Sequence, residues 1–260
     1  MLEKQIREQI ISLINREVVP AVGCTEPMCV SLCVAKATET LGCRPEKITA
    51  LLSANILKNA MGVGIPGTGM IGLPIAIALG ALVGKSEYQL EVIKDLTRET
   101  LEEGKQYINE DHIDIKLKQG ITEKLYVEIR CEAQGHEATA IIAQSHTNIV
   151  YVERDGETII DRRTPQDGAE EQKDIQLNMR MVYDFAMTTP EEEISFILKT
   201  RDYNIRAAEE SKKANYGHCL GKTIDRPLSH GIFGNSIFSH IISKTASACD
   251  ARMGGAMIPV

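Results

Sequence analysis

The spacing of apolar and polar positions changes character along the chain. Leu2, Ile6, Ile10, Leu13 and Ile14 recur at helical spacing with charges between them, which predicts an amphipathic helix ending near Val18-Val19-Pro20. Residues 28–40 are mostly small and apolar and predict a helix entered from the turn at 19–27, with Thr25 as N-cap and Pro27 in the first helical position. Residues 47–60 fit helix or strand equally. The run at 70–84, with Pro74 inside it, reads as a buried helix, and 87–107 as one further helix charged on one face. From Asp111 the period becomes two. Residues 113–118, 124–131, 137–143 and 148–154 alternate, and Asp155-Gly156 supplies a hairpin turn into 157–160. After a polar stretch at 162–173 that reads as a linker, helices resume at 175–177 and behind Thr189-Pro190-Glu191. Another is expected from Ser229 to about Ala248. The expected class is α+β: a helical domain (1–110 and 201–260) with an inserted small antiparallel-sheet α+β domain (111–200) that packs with the helices near 174–200.

Composition narrows the function classes. A chain of 260 residues that is 43% apolar can bury a sizeable core, and a formal charge of -7 without a Lys/Arg run argues against nucleic-acid or anionic-membrane partners. Seven cysteines, an odd number, behind a charged N-terminus unlike a signal peptide point to free thiols in a reducing cytoplasm. The apolar run at 70–84 is shorter than the ~20 residues that span a bilayer. The apolar end, Ala256-Met257-Ile258-Pro259-Val260 behind Gly254-Gly255, reads as an interruption rather than a terminus.

Candidate chemistry centres on Gly23-Cys24-Thr25-Glu26-Pro27. A thiol at a helix start is expected to ionise more easily, so Cys24 is a candidate base, nucleophile or metal ligand, against the alternative of a small buried hydrophobe. Cys24, Cys29 and Cys33 follow C-x4-C-x3-C, which is no familiar iron-sulfur run, and helix-packing thiols are the expectation. The stretch Gly62 to Gly69 contains G-x-G-x-x-G but lacks the preceding β-branched strand and the later acidic residue of a dinucleotide site. Its amides, with Lys58 and Asn59 just before, are expected to form a carboxylate or phosphate cradle, with a structural turn as the alternative. Ser145-His146-Thr147-Asn148 places an imidazole at a strand start.

These motifs together with Asn215-Tyr216-Gly217 and Asp250-Ala251-Arg252-Met253-Gly254-Gly255, in this order through the whole chain, resemble the L-cysteine desulfidase family, grouped with the iron-sulfur L-serine dehydratases. The resemblance implies a helical catalytic domain carrying a small α+β domain. It also implies a lyase that uses a [4Fe-4S] cluster without redox change to eliminate sulfide or water from a small amino acid. Cys24, beside Thr25 and Glu26, would act in catalysis as the base. Lys58, Asn59, Gly64, Gly67 and Thr68 would hold the substrate carboxylate, with His146, Thr147, Asn148, Asn215, Asp250 and Arg252 contributing. The family's cluster cysteines lie beyond the region matching this chain, and none of its seven cysteines matches a ligand, so no metal residue is assigned. A homo-oligomer or a second chain supplying the cluster is the expected partner. The alternatives from other classes are a non-catalytic amino-acid-binding or regulatory module and a structural subunit.

Overall fold

The computed structural model describes residues 2–163, 175–226 and 236–259. Its first helix, α1 (Lys4–Glu17), is followed by the turn at 18–24 and by α2 (Thr25–Leu41). Cys24, not Thr25, is the N-cap of α2, and Gly42 closes it in the left-handed conformation that glycine adopts without strain. Met28 through Ala35 are completely buried. That is what an all-round apolar sequence requires: α2 lies with one side on a sheet and the other on α4 (Leu73–Leu82), itself apolar on every face. Gly80 lets the two helices approach, since a Cβ there would sit 2.6 Å from the Ser31 carbonyl oxygen.

The sheet has six strands in the order β2-β1-β3-β4-β5-β6: β1 (Lys47–Leu52), β2 (Ile113–Leu117), β3 (Tyr126–Ala133), β4 (His136–Ala143), β5 (Ile149–Arg154) and β6 (Glu157–Asp161). Strands β3 to β6 are the expected antiparallel meander, with Asp155-Gly156 at the last hairpin. The two remaining strands depart from expectation. Residues 47–60 are both alternatives in succession, strand β1 and then helix α3 (Ala54–Ala60). β1 is antiparallel to β3 but parallel to β2, which makes the sheet mixed. Ile48, Ala50 and Leu52 on β1 point into the same apolar cluster as Leu32, Ile77 and Ile129. Residues before and after Asp111 therefore share one core. A doubly wound parallel sheet with the glycine stretch at a strand end, the arrangement of a dinucleotide fold, is not what forms.

The expected helix at 87–107 is two elements. A 3₁₀ segment, Ser86–Glu91, contains Gln89 at φ 52°, and α5 (Arg98–Asn109) starts afresh behind a Thr97–Thr100 capping box. Residues 175–178 are not helical, and α6 (Met179–Thr188) begins behind the Asn178 N-cap, with the preceding linker at 164–173 outside the described residues. The segment continues through α7 (Glu191–Ile194), α8 (Leu198–Lys213), α9 (Leu220–Ile224) and α10 (Ile237–Met253). The first part of the helix expected from Ser229 lies outside the described residues. The sheet takes its covering helix from α2, whereas α7 is tied to α1 by a bidentate Arg7–Glu193 ion pair at 2.9 and 3.0 Å. Among the described residues, no helix is long and apolar enough to cross a membrane.

Candidate functional site

Cys24 starts α2 and is buried, and its thiol donates to Glu26 Oε2 at 2.9 Å. The same carboxylate accepts from Thr25 Oγ1 at 3.1 Å and, through Oε1, from Asn59 Nδ2 at 3.2 Å. Burial pushes the Cys24 thiol up to about 11, with the Glu26 carboxylate adding to the shift. The Glu26 amide and the Arg252 charge pull the other way, as a helix start should, but are outweighed. The expected easily ionised thiolate is thus corrected to a thiol at neutral pH. Glu26 carries the charge: burial alone would raise its pKa, but bonds from Cys24, its own amide, Asn59 and Thr25 hold it below the ordinary carboxylate value.

Backbone contacts through glycines bring distant segments to this pair. Gly23, at φ 76°, packs on Pro66 so closely that a Cβ would lie 2.5 Å from the ring Cγ. A Cβ on Gly64 would meet the Gly254 carbonyl carbon at 2.7 Å, and one on Gly255 would meet the Ile65 carbonyl oxygen at 2.9 Å. Hydrogen bonds join the same surfaces: the Gly64 amide to the Met253 carbonyl (3.0 Å), the Gly67 amide to the Gly255 carbonyl (3.1 Å), and Arg252 Nε to the Gly23 carbonyl (3.4 Å). Beyond them Gly217 packs on Asp250, whose carboxylate accepts the Gly221 amide at 2.9 Å. Gly23, Pro66, Gly254, Gly255 and Gly217 had no individual role in the sequence reading. Their signal was glycine itself, which allows backbones to touch.

Several amides of the glycine stretch are committed within the protein. The Gly64, Ile65, Gly67, Thr68, Met70 and Gly72 amides all donate to acceptors within the protein, in a small hairpin closed by the Gly64–Ile71 bridge. Thr68 is buried and its hydroxyl donates to the Ile65 carbonyl at 2.7 Å, so it closes the turn rather than facing a ligand. The structural turn, kept as the alternative, accounts for these groups.

Of the other expected residues, Lys58 is exposed on α3 one position before Asn59. His146 is half-buried at the β4–β5 turn and within Coulombic reach of Glu26, Glu17 and Arg252; burial holds its pKa below the ordinary imidazole value. Thr147 is half-buried in the same turn, whereas Asn148 braces the turn by donating to the Ala143 carbonyl at 3.1 Å. Asn215 accepts from Lys222 Nζ at 3.1 Å, and it and Asp250 support the loop leading into α9. Cys24, Thr25, Glu26 and Asn59 are therefore the members joined by hydrogen bonds, with Arg252 within Coulombic reach of Cys24 and His146 within that of Glu26.

The cysteines do not fit an iron-sulfur cluster. Cys29, Cys33 and Cys131 are completely buried in the apolar core, where burial pushes their thiols up, that of Cys131 to about 12. Cys33 donates to the Ala140 carbonyl at 3.3 Å. Cys24 is committed to Glu26, while Cys43 lies between α2 and β1, Cys219 caps α9 and Cys249 is on α10. Among the described residues no three His, Cys, Asp or Glu side chains converge as metal ligands.

The chain is thus a mixed α+β protein in which glycine contacts gather remote segments around a cysteine–glutamate pair. It is similar to a UPF0597 protein of Bacteroides fragilis, 61% identical over 254 residues that cover 98% of this chain and 59% of the relative. A UPF0597 protein of Phocaeicola vulgatus is 63% identical over 261 residues (100% and 61%), and one of Porphyromonas gingivalis 47% identical over 265 residues (100% and 61%). The chain spans about three fifths of the length of these relatives. The shared name states no activity or ligand. No protein-family model matches the chain, and no solved structure does.

Proposed function

We propose that this chain is the substrate-binding and proton-transfer portion of a lyase that eliminates the β substituent of a small amino acid. The reaction would take L-cysteine to sulfide, ammonia and pyruvate, or L-serine to ammonia and pyruvate. The observation that carries the reading is the Cys24–Glu26 pair, one proton and one negative charge shared over 2.9 Å, with an imidazole and a guanidinium close by. Elimination needs a base at Cα. As the thiol passes its proton to Glu26, the thiolate takes the Cα proton, and the pair ends neutral with two protons. An incoming ammonium group favours the thiolate in this buried setting, adding to the effect of Arg252. Arg252, with Lys58 at the exposed edge, would receive the substrate carboxylate, and Asn59 keeps Glu26 aimed at Cys24. The [4Fe-4S] cluster implied by the family resemblance would serve as a Lewis acid on the leaving group. Its ligands would come from the part of the relatives that this chain does not span or from a second polypeptide. Free thiols fit a reducing cytoplasm as its setting.

The full-length Bacteroides fragilis relative, reconstituted anaerobically with iron and sulfide, is the material for the test. It is expected to release pyruvate from L-cysteine or L-serine. Replacing the cysteine that matches Cys24 by Ala should lower turnover 10²-fold or more with the melting temperature nearly unchanged. An iron-loaded relative inactive on both amino acids, or an active alanine variant, would overturn the reading. The spent amides of the glycine hairpin favour a second reading, a structural subunit, which would bind neither amino acid in a calorimetric titration.

A further inference from the structure

An open groove of about 730 Å³ runs between α8 and α10, with Arg252 among its lining residues. On α8 its wall is the stripe Arg201, Ile205, Ala208 and Lys212, and on α10 it is Ile241, Lys244, Ala248 and Arg252. Both stripes follow helical spacing, so each presents one continuous face. Their apolar middle is flanked by Lys212, Lys244 and Arg252 against the acidic Glu209 and Asp225, with Arg201 already paired with Asp202 at 3.0 Å. Ile241 is 57% exposed and Ile205 45% exposed, facing the same groove.

We propose that this groove is the docking site for an amphipathic segment with acidic flanks, belonging to the part of the full-length relatives that this chain does not span. Three observations select that occupant. About two fifths of each relative lies outside the match, enough for a further domain. Lys212 and Lys244 beside the apolar floor favour carboxylates around the apolar knobs that fill it. Arg252 lines the groove and also donates through Nε to the Gly23 carbonyl at 3.4 Å, so an occupant there would be joined to the Cys24 turn through this one side chain. The docking itself does not depend on the elimination chemistry.

Hydroxyl-radical footprinting of the full-length Bacteroides fragilis relative beside the 260-residue chain tests this, with side-chain labelling read over the peptides spanning α8 and α10 and normalised to the exposed strand β6. The α8 and α10 peptides are expected to label at least fivefold more slowly in the relative. Equal labelling would overturn the proposal. Sedimentation of the 260-residue chain gives the second arm: a dimer that Ile241→Glu dissociates would assign the groove to a second copy and overturn it, whereas a monomer unchanged by Ile241→Glu supports it. Activity assays of the relative fail or succeed separately, so loss of the lyase reading leaves the footprint result standing.

Discussion

The region from Ala21 to Asp161 and the helices from Met179 onward solve the burial problem differently. In the first, Leu32, Ile48, Leu73, Ile77 and Ile129 join one continuous core, and its large apolar side chains on the surface, among the described residues, are Met61, Ile71, Leu117 and Ile159. In the second, the buried cluster is made of alanines, Ala207, Ala208, Ala248, Ala251 and Ala256, flanked by Tyr216 and Ile258, while Met179, Met187, Ile237, Phe238 and Ile241 lie exposed. Burying a large aliphatic side chain contributes about 1.5–3 kcal/mol, and alanine far less. The sheet region carries its own stability; the helical region holds together through close backbone approach and leaves more apolar surface exposed.

Paired truncations measure that contrast most directly. Leu32→Ala on α2 should cost about 2–5 kcal/mol in urea unfolding, whereas Ile241→Ala on α10 should stay within about 0.5 kcal/mol. Comparable losses would erase the distinction. The weld between the regions comes next. Gly64→Ala places a Cβ against the Gly254 backbone and is expected to cost about 1–3 kcal/mol and loosen the α10 end, seen as faster amide exchange at 253–256. Gly62→Ala, with open space around it, is the control and should be near neutral.

A smaller effect bears on the pair inside the weld. The folded state raises the Cys24 pKa from 9.0 to about 11, so it favours the protonated thiol. The stability this contributes is fully present below pH 9 and is lost as pH rises through about 11. Alkylation of Cys24 followed by peptide mass spectrometry should show a midpoint near 11, and a midpoint near 7 would restore the ready thiolate. The smallest expected change is a gain: the Ser31 hydroxyl is completely buried with no hydrogen-bond partner, so Ser31→Ala should stabilise by about 1 kcal/mol in the same urea melts.

Much of the sheet region was legible because its signals are local. Alternation at 124–131, 137–143 and 148–154 yields β3 to β5, the Asp155-Gly156 turn sets the last hairpin into β6, and the apolar run at 70–84 announces α4 as a buried helix. The break in the expected 87–107 helix was not legible, since Gln89 at φ 52° has no side-chain signature. Nor was the N-cap, because Thr25 has the better capping side chain but Cys24 has the capping backbone.

The sequence by itself determined the residue types of the site, their order along the chain, and the period of each element, since these depend on neighbours a few positions apart. The tertiary structure alone decided three things. It made β1 a partner of both β2 and β3, because pairing is a choice among remote strands. It spent the Gly64 and Gly67 amides on Met253 and Gly255 and the Gly72 amide on the hairpin itself, because a donor's fate depends on which acceptor folding brings near. And it kept the Cys24 proton on sulfur, because desolvation and the Glu26 carboxylate, set by burial and by where two side chains meet, outweigh the helix start that the sequence displays.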